Sequence, residues 1–309
     1  MMSAGLAAFI AKWSWAFFTI CASAAQTARN AMQRDLTRTL GTAGATHVRF
    51  LFALPFAVVL VLVETQLLGM KFPSFDAPAL GWIAAGALTQ SIATALMLAG
   101  MKTRSFSVIV AYTKTEPIFI AMIAVALLGE TLSATTIAAV LIATAGVMLM
   151  SCPKREMLKD GAATDLRPAL LGLASGLFFA LSANSYRAGL IRIGTEDFIM
   201  SASAVMLAGQ AMQSAAILVW LVLFDRPLLA GIARQWKRSL FAGSMGAIAS
   251  LFWFMAFALI SAAKVRTLAL VEVPMALLVS RGIFNQTTTG REIAGMAMIA
   301  AGIVLLLNG

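Results

Sequence analysis

Apolar stretches of about 20 residues follow one another through most of the 309 positions, and that repetition constrains the fold more than any motif does. A helix rises about 1.5 Å per residue, so about 20 residues cross a hydrocarbon core about 30 Å thick. Composition agrees, with 61% hydrophobic and 12% charged residues, against about 45–50% and about 25% in soluble domains. The chain reads as an all-α integral membrane protein with no room left for a large soluble domain.

The opening stretch "MMSAGLAAFIAKWSWAFFTICASAA" lacks the basic n-region and cleavage site of a secretory leader and reads as a retained first helix. Cys21 inside a helix and Cys152 at a helix end fit neither a disulfide framework nor a metal-ligand spacing. A net charge of +10 raises nucleic acid as a partner. The basic residues, however, lie in short connections between apolar stretches, where topology and anionic headgroups account for them. The sequence carries no Gly-rich phosphate loop, no His/Cys metal cluster and no G-x-S-x-G elbow, so no enzyme, metal or cofactor is expected.

Charges, prolines and polar clusters divide the chain into ten expected spans, at 9–30, 43–64, 79–99, 105–128, 133–151, 168–188, 198–224, 238–258, 264–283 and 290–308. The longest polar connection, "CPKREMLKDGAATDLRP", separates them five and five. The expected domains are therefore 1–151, a connection over 152–167, and 168–309. An offset of 156 residues places Glu116 on Glu272, Gly146 on Gly302 and Leu149 on Leu305, so that "TAGVMLM" answers "AAGIVLL". Five spans per half reverse the direction in which the second half enters the bilayer, which predicts two inverted five-helix repeats.

The connections after spans 1, 3, 5, 7 and 9 hold thirteen Lys and Arg residues and the opposite side holds five, counting Lys264 and Arg266 among the five. By the positive-inside rule both termini are then external.

The stretch "SFSVIVAYTKTEPIFIAMIAVALLGETLS", followed by "LIATAGVMLM", resembles the fourth-to-fifth helix signature of the drug/metabolite transporter superfamily, in its ten-helix branch of paired EamA domains. The likeness rests on the Glu116-Pro117 step, the Gly129-Glu130 pair and the Ala145-Gly146 step. "ATHVRFLFALPFAVVLVL" resembles the family's second helix, with Arg49 near its start. The second half departs from the pattern: Pro274 follows Glu272 by two positions, and Asn285-Gln286 replaces the Gly-Glu pair. The resemblance implies a secondary transporter of the bacterial inner membrane that exports a small metabolite by alternating access, with a coupling proton or an exchanged solute and with a monomer as the expected form. A non-transporting membrane scaffold or receptor is the alternative.

Glu116 and Glu272 are the acidic residues that fall mid-span, and a charge at the bilayer centre costs about 2.5–3.5 kcal/mol on insertion scales. Each is either a structural tie or a cavity carboxylate that takes a substrate cation or a coupling proton. On an unbroken helix Tyr112 and Phe119 share the face of Glu116, an arrangement suited equally to an amine ligand and to packing. Lys114 points away from Glu116; snorkelling, pairing with Glu272 and receiving a substrate carboxylate are its three options. Pro117 and Pro274 are expected to bend their helices and to serve as hinges. Gln90, Asn184 and Trp253 lie on spans that surround the substrate in similar transporters, although interhelical hydrogen bonding or packing also accounts for them.

Overall fold

The computed structural model describes residues 4–103, 109, 112–151, 166–194, 196–273 and 290–308, the side chains of 4–11, 103 and 151 apart. Every regular element among them is helical.

Helix α1 (Ala4–Leu51) breaks at Gly41, whose backbone angles are φ 65° and ψ −176°. That region is essentially confined to glycine because a Cβ would strain it. The first connection, expected over a dozen residues, thus contracts to a one-residue elbow. Gln33 braces it from one arm to the other, its Nε2 donating to the Ala45 carbonyl at 2.9 Å.

Helix α2 (Leu54–Leu62) carries Pro55 in its first turn, where a missing N–H is harmless, and widens into a π-helical turn over Val63–Leu67. Helices α3 (Ala77–Thr103), α4 (Glu116–Leu128), α5 (Ala134–Ser151), α6 (Arg167–Ile193) and α7 (Phe198–Phe224) follow. The short α8 (Arg226–Arg234) leads into α9 (Trp236–Leu259) and α10 (Ala262–Leu268), which tightens into a 3-10 turn at Ala269–Val271; α11 (Gly290–Asn308) completes the described elements.

Among the described residues, six stretches are long and apolar enough to cross a membrane: Lys12–Leu67, which contains the Gly41 elbow, Ala77–Lys102, Arg167–Ile193, Phe198–Phe224, Trp236–Leu259 and Gly290–Asn308. Polar side chains are buried beside the apolar core, and large apolar ones are exposed. Thr19, Gln33, Thr94, Ser175 and Gln213 are buried, whereas Phe17, Leu88, Met122, Leu127 and Phe224 each expose more than half their surface. Such a surface is stable against acyl chains, and the polar groups turn inward to find partners. The chain is a multi-pass membrane protein.

Two compact units emerge, and each is built from two separate stretches of the chain. The first comprises Met1–Ala87 and Ser185–Val265. Within it α1 packs along α9. Arg187 closes the end of α9 by donating to the carbonyls of Phe257 and Ile260.

The second unit comprises Leu88–Asn184 and Arg266–Gly309. Its centre is the contact of α5 with α11, where Ala143, Val147, Leu270 and Ile299 form a buried cluster. A Cβ on Gly295 would stand 2.6 Å from the Gly146 carbonyl, so the two backbones meet with nothing between them. Small residues at a membrane helix contact permit that approach.

The Gly41 elbow makes a direct test. Gly41→Ala should lower stability by about 1–3 kcal/mol through backbone strain. Gly81→Ala, at a helical site equally free of neighbours, should be neutral or stabilise by up to about 1 kcal/mol. Unfolding of the purified variants in detergent reads the difference, and equal losses would refute the strain.

Candidate functional site

The second unit gathers four charges on two chain segments. Lys114 and Glu116 belong to a break ahead of α4, and Arg266 and Glu272 flank the 3-10 turn. They pair crosswise. Lys114 Nζ meets Glu272 Oε1, and Arg266 Nε lies 3.4 Å from Glu116 Oε1. All four side chains are close to fully buried, with 13% exposure at most.

The break has a clear local cause. Pro117 carries no N–H, so the Thr113 carbonyl loses its helical donor, and the proline ring crowds that carbonyl. The chain answers with two tighter bonds, Thr115 N to Tyr112 O at 3.3 Å and Ile118 N to Thr115 O at 3.1 Å. Helix α4 then restarts at Glu116, with Pro117 in its first turn. The expected bend at Pro117 is therefore a full interruption. Pro274, its expected counterpart, lies outside the described residues.

Helix α6 seats this interruption. A Cβ on Gly172 would stand 2.4 Å from Tyr112 Cβ, and one on Gly176 would stand 3.1 Å from the Thr113 carbonyl oxygen. Two glycines one turn apart thus let α6 lie against the broken backbone. Farther along α6, Asn184 Nδ2 donates to the Ile120 carbonyl at 3.3 Å, tying α6 to α4.

The remaining candidates are distributed as follows. Tyr112 packs against Gly172 and is separated from Glu116 by the turn at Lys114 and Thr115, so the shared-face argument, which needs an unbroken helix, does not apply. Phe119 is half-buried on the first turns of α4. Gln90 is buried on α3 in the same unit. Trp253 belongs to the first unit, where its indole N–H donates to Gln26 Oε1 at 3.1 Å and its ring stacks on Phe257.

Of the three options for Lys114, pairing with Glu272 is the one observed. Arg266 is the residue that reading the sequence missed. It was counted as a connection residue, yet it is buried on α10 and faces Glu116. The signal available was its position inside the expected span 264–283, where a charge needs a partner in a medium that penalises unpaired charge.

At 3.4 Å the Arg266–Glu116 contact is an ion pair rather than a hydrogen bond, and neither Glu116 Oε1 nor Glu272 Oε2 has a hydrogen-bond donor among the described residues. Both carboxylates are thus compensated in charge but retain capacity to accept a donor. That combination suits a site that exchanges an internal partner for an ammonium or hydroxyl group.

The pairing predicts non-additivity. Lys114→Met and Glu272→Gln should each destabilise, the lysine change by about 3–5 kcal/mol because it strands a buried carboxylate. The double variant should lose less than the sum by at least about 1 kcal/mol. Unfolding in lipid–detergent mixtures measures the cycle, and additive losses would show that the two side chains do not interact.

No curated protein matches the sequence. A solved structure described as "Crystal structure of protein" superposes with a TM-score of 0.61 over 94% of this chain and 96% of that one, at 16% identity, a likeness of fold alone. Residues 2–152, which hold α1 to α5 and the interruption at Lys114–Glu116, match the EamA-like transporter family.

Proposed function

We propose that this chain is a secondary active transporter of a small amino-acid-like or related organic solute, working in the exporting direction in a bacterial inner membrane. It alternates access between ten spans arranged as two inverted five-helix repeats. The single observation that carries the reading is the crosswise pairing of Lys114 with Glu272 and of Arg266 with Glu116 beside an interrupted helix. The match of residues 2–152 to the EamA-like transporter family supports it.

The repeat draws support from which helices meet. An offset of 156 residues exchanges α1 with α6 and α3 with α9. The α1–α9 contact of the first unit then corresponds to the contact between α6 and α3, seen where Gly86 lies on Tyr186 and where Ser175 donates to the Ala93 carbonyl. The α5–α11 contact maps onto itself.

In the unliganded state each glutamate is held by a cation of the other segment. A solute carrying an ammonium group displaces Arg266 from Glu116 or Lys114 from Glu272, and the released cation then accepts the solute's carboxylate. Exchange of partners keeps the buried charge balanced at every stage, and the break at Pro117 lets α4 tilt without breaking a continuous hydrogen-bond ladder. With Arg266 removed from the connections, the Lys and Arg bias that sets both termini outside becomes stronger. Labelling of a cysteine placed in the connection after α7, expected from the inner side only, tests that orientation.

The function is tested by a thermal-shift screen of amino acids and related metabolites on the purified protein, followed by counterflow of any stabilising solute in proteoliposomes. Glu116→Gln should reduce counterflow about ten- to a hundred-fold, the loss of one charge-assisted contact of about 1.5–3 kcal/mol, with unchanged helicity and elution. Undiminished flux in that variant would remove Glu116 from the mechanism, and a chain that moves no stabilising solute would favour a scaffold or receptor.

A further inference from the structure

Glu64 is a second kind of buried carboxyl, in the first unit and apart from the four paired charges. It is the last residue of the expected span 43–64 and opens the polar stretch "ETQLLGMKFPSFDAPA". The structure buries it to 2% exposure on the π-helical turn that ends α2.

Its partners are unlike those of Glu116 and Glu272. Ser203 Oγ, on α7, donates to Glu64 Oε1 at 2.8 Å. Glu64 Oε2 is buried with no hydrogen-bond partner among the described residues, and none of them places a cation within ion-pair distance. The charged group that bears on it is Asp197, the acidic N-cap of α7, which is exposed and accepts from the Met200 amide. Asp197 stands six residues before Ser203, about 9 Å along the helix axis, and is exposed.

Among the described residues, a carboxylate in that position has one hydroxyl donor, an acidic neighbour, and a buried oxygen with no donor. A carboxylic acid satisfies the same surroundings at far lower cost, since it carries no charge. The π-helical turn supplies the means of responding. Its i to i+5 bonding, as in Leu68 N to Val63 O at 3.2 Å, leaves the end of α2 less tightly wound than a regular helix.

We propose that Glu64 is a proton-binding switch joining α2 to α7. With the proton on Oε2, Glu64 stays docked on Ser203. When that proton passes to water at the Asp197 end, the O–H electron pair remains on the carboxylate, and the new charge draws the π-helical turn away from α7 toward solvent. In the transporter reading, on which this part rests, the switch supplies the coupling ion as a proton.

Infrared spectroscopy of the reconstituted protein, following the protonated-carboxyl C=O band across the pH range in which the protein stays folded, tests the switch with the proton as the only ligand. The wild type should show a band that titrates within this window and is lost in Glu64→Gln. Ser203→Ala, which keeps the carboxyl and removes its hydrogen bond, should retain the band at a shifted frequency, and it keeps the test open if Glu64→Gln does not fold. A band that persists unchanged through both variants, or one that is constant across the window, overturns the proposal. The titration requires no cargo, so it stands or falls separately from counterflow.

Discussion

In a medium that offers no water, a charged side chain is stable only against a group of opposite charge, and the second unit is organised around that requirement. Lys114 with Glu272 and Arg266 with Glu116 bring two chain segments 150 residues apart in sequence into one neutral set. Removing any one of the four strands its partner in a low-dielectric interior, the costliest change available to such a fold. The 3-10 turn between Arg266 and Glu272 follows from it. Leu270 has to reach the apolar cluster of Ala143, Val147 and Ile299 while the charges on either side of it reach back to the break before α4.

The interruption at Lys114 and Thr115 is the geometric counterpart of that charge set. A continuous helix would present Lys114 and Glu116 on opposite sides. Two tight turns place both within reach of the other segment, and Pro117 makes those turns the cheaper course by denying the Thr113 carbonyl its donor. Gly172 and Gly176 hold the irregular backbone against α6, so non-helical backbone is buried in protein, a setting in which a membrane interior tolerates it. Glu64 obeys the same rule by a different route, finding a hydroxyl on α7 where no cation is at hand.

Most of the helices were legible in the sequence because apolar length is a strong signal. Phe198–Phe224 begins and ends where the apolar run does, and Gly290–Asn308 coincides with the last expected span. The first connection was not legible. It looked like a polar loop because Arg34, Asp35 and Arg38 lie in it, yet those residues ride on the exposed side of a helix that continues to Leu40. The glutamates and the lysine of the candidate site stood out by their position in apolar runs. Arg266 and Glu64 did not, because each lies at the edge of a run, where a charge ordinarily faces water.

The sequence by itself determined that this chain crosses a membrane in many helices, that Glu116, Glu272 and Lys114 are buried charges needing an explanation, and that Pro117 disrupts its helix. These follow from local chemistry: the cost of moving a charge out of water, and a proline's missing N–H, depend on no distant residue. Tertiary structure alone decided which charges meet, that Arg266 completes the set, and that Glu64 is buried. Ion pairs between segments 150 residues apart are fixed by packing, which brings α6 onto the break and the 3-10 turn onto α5, and no spacing along the chain encodes that approach.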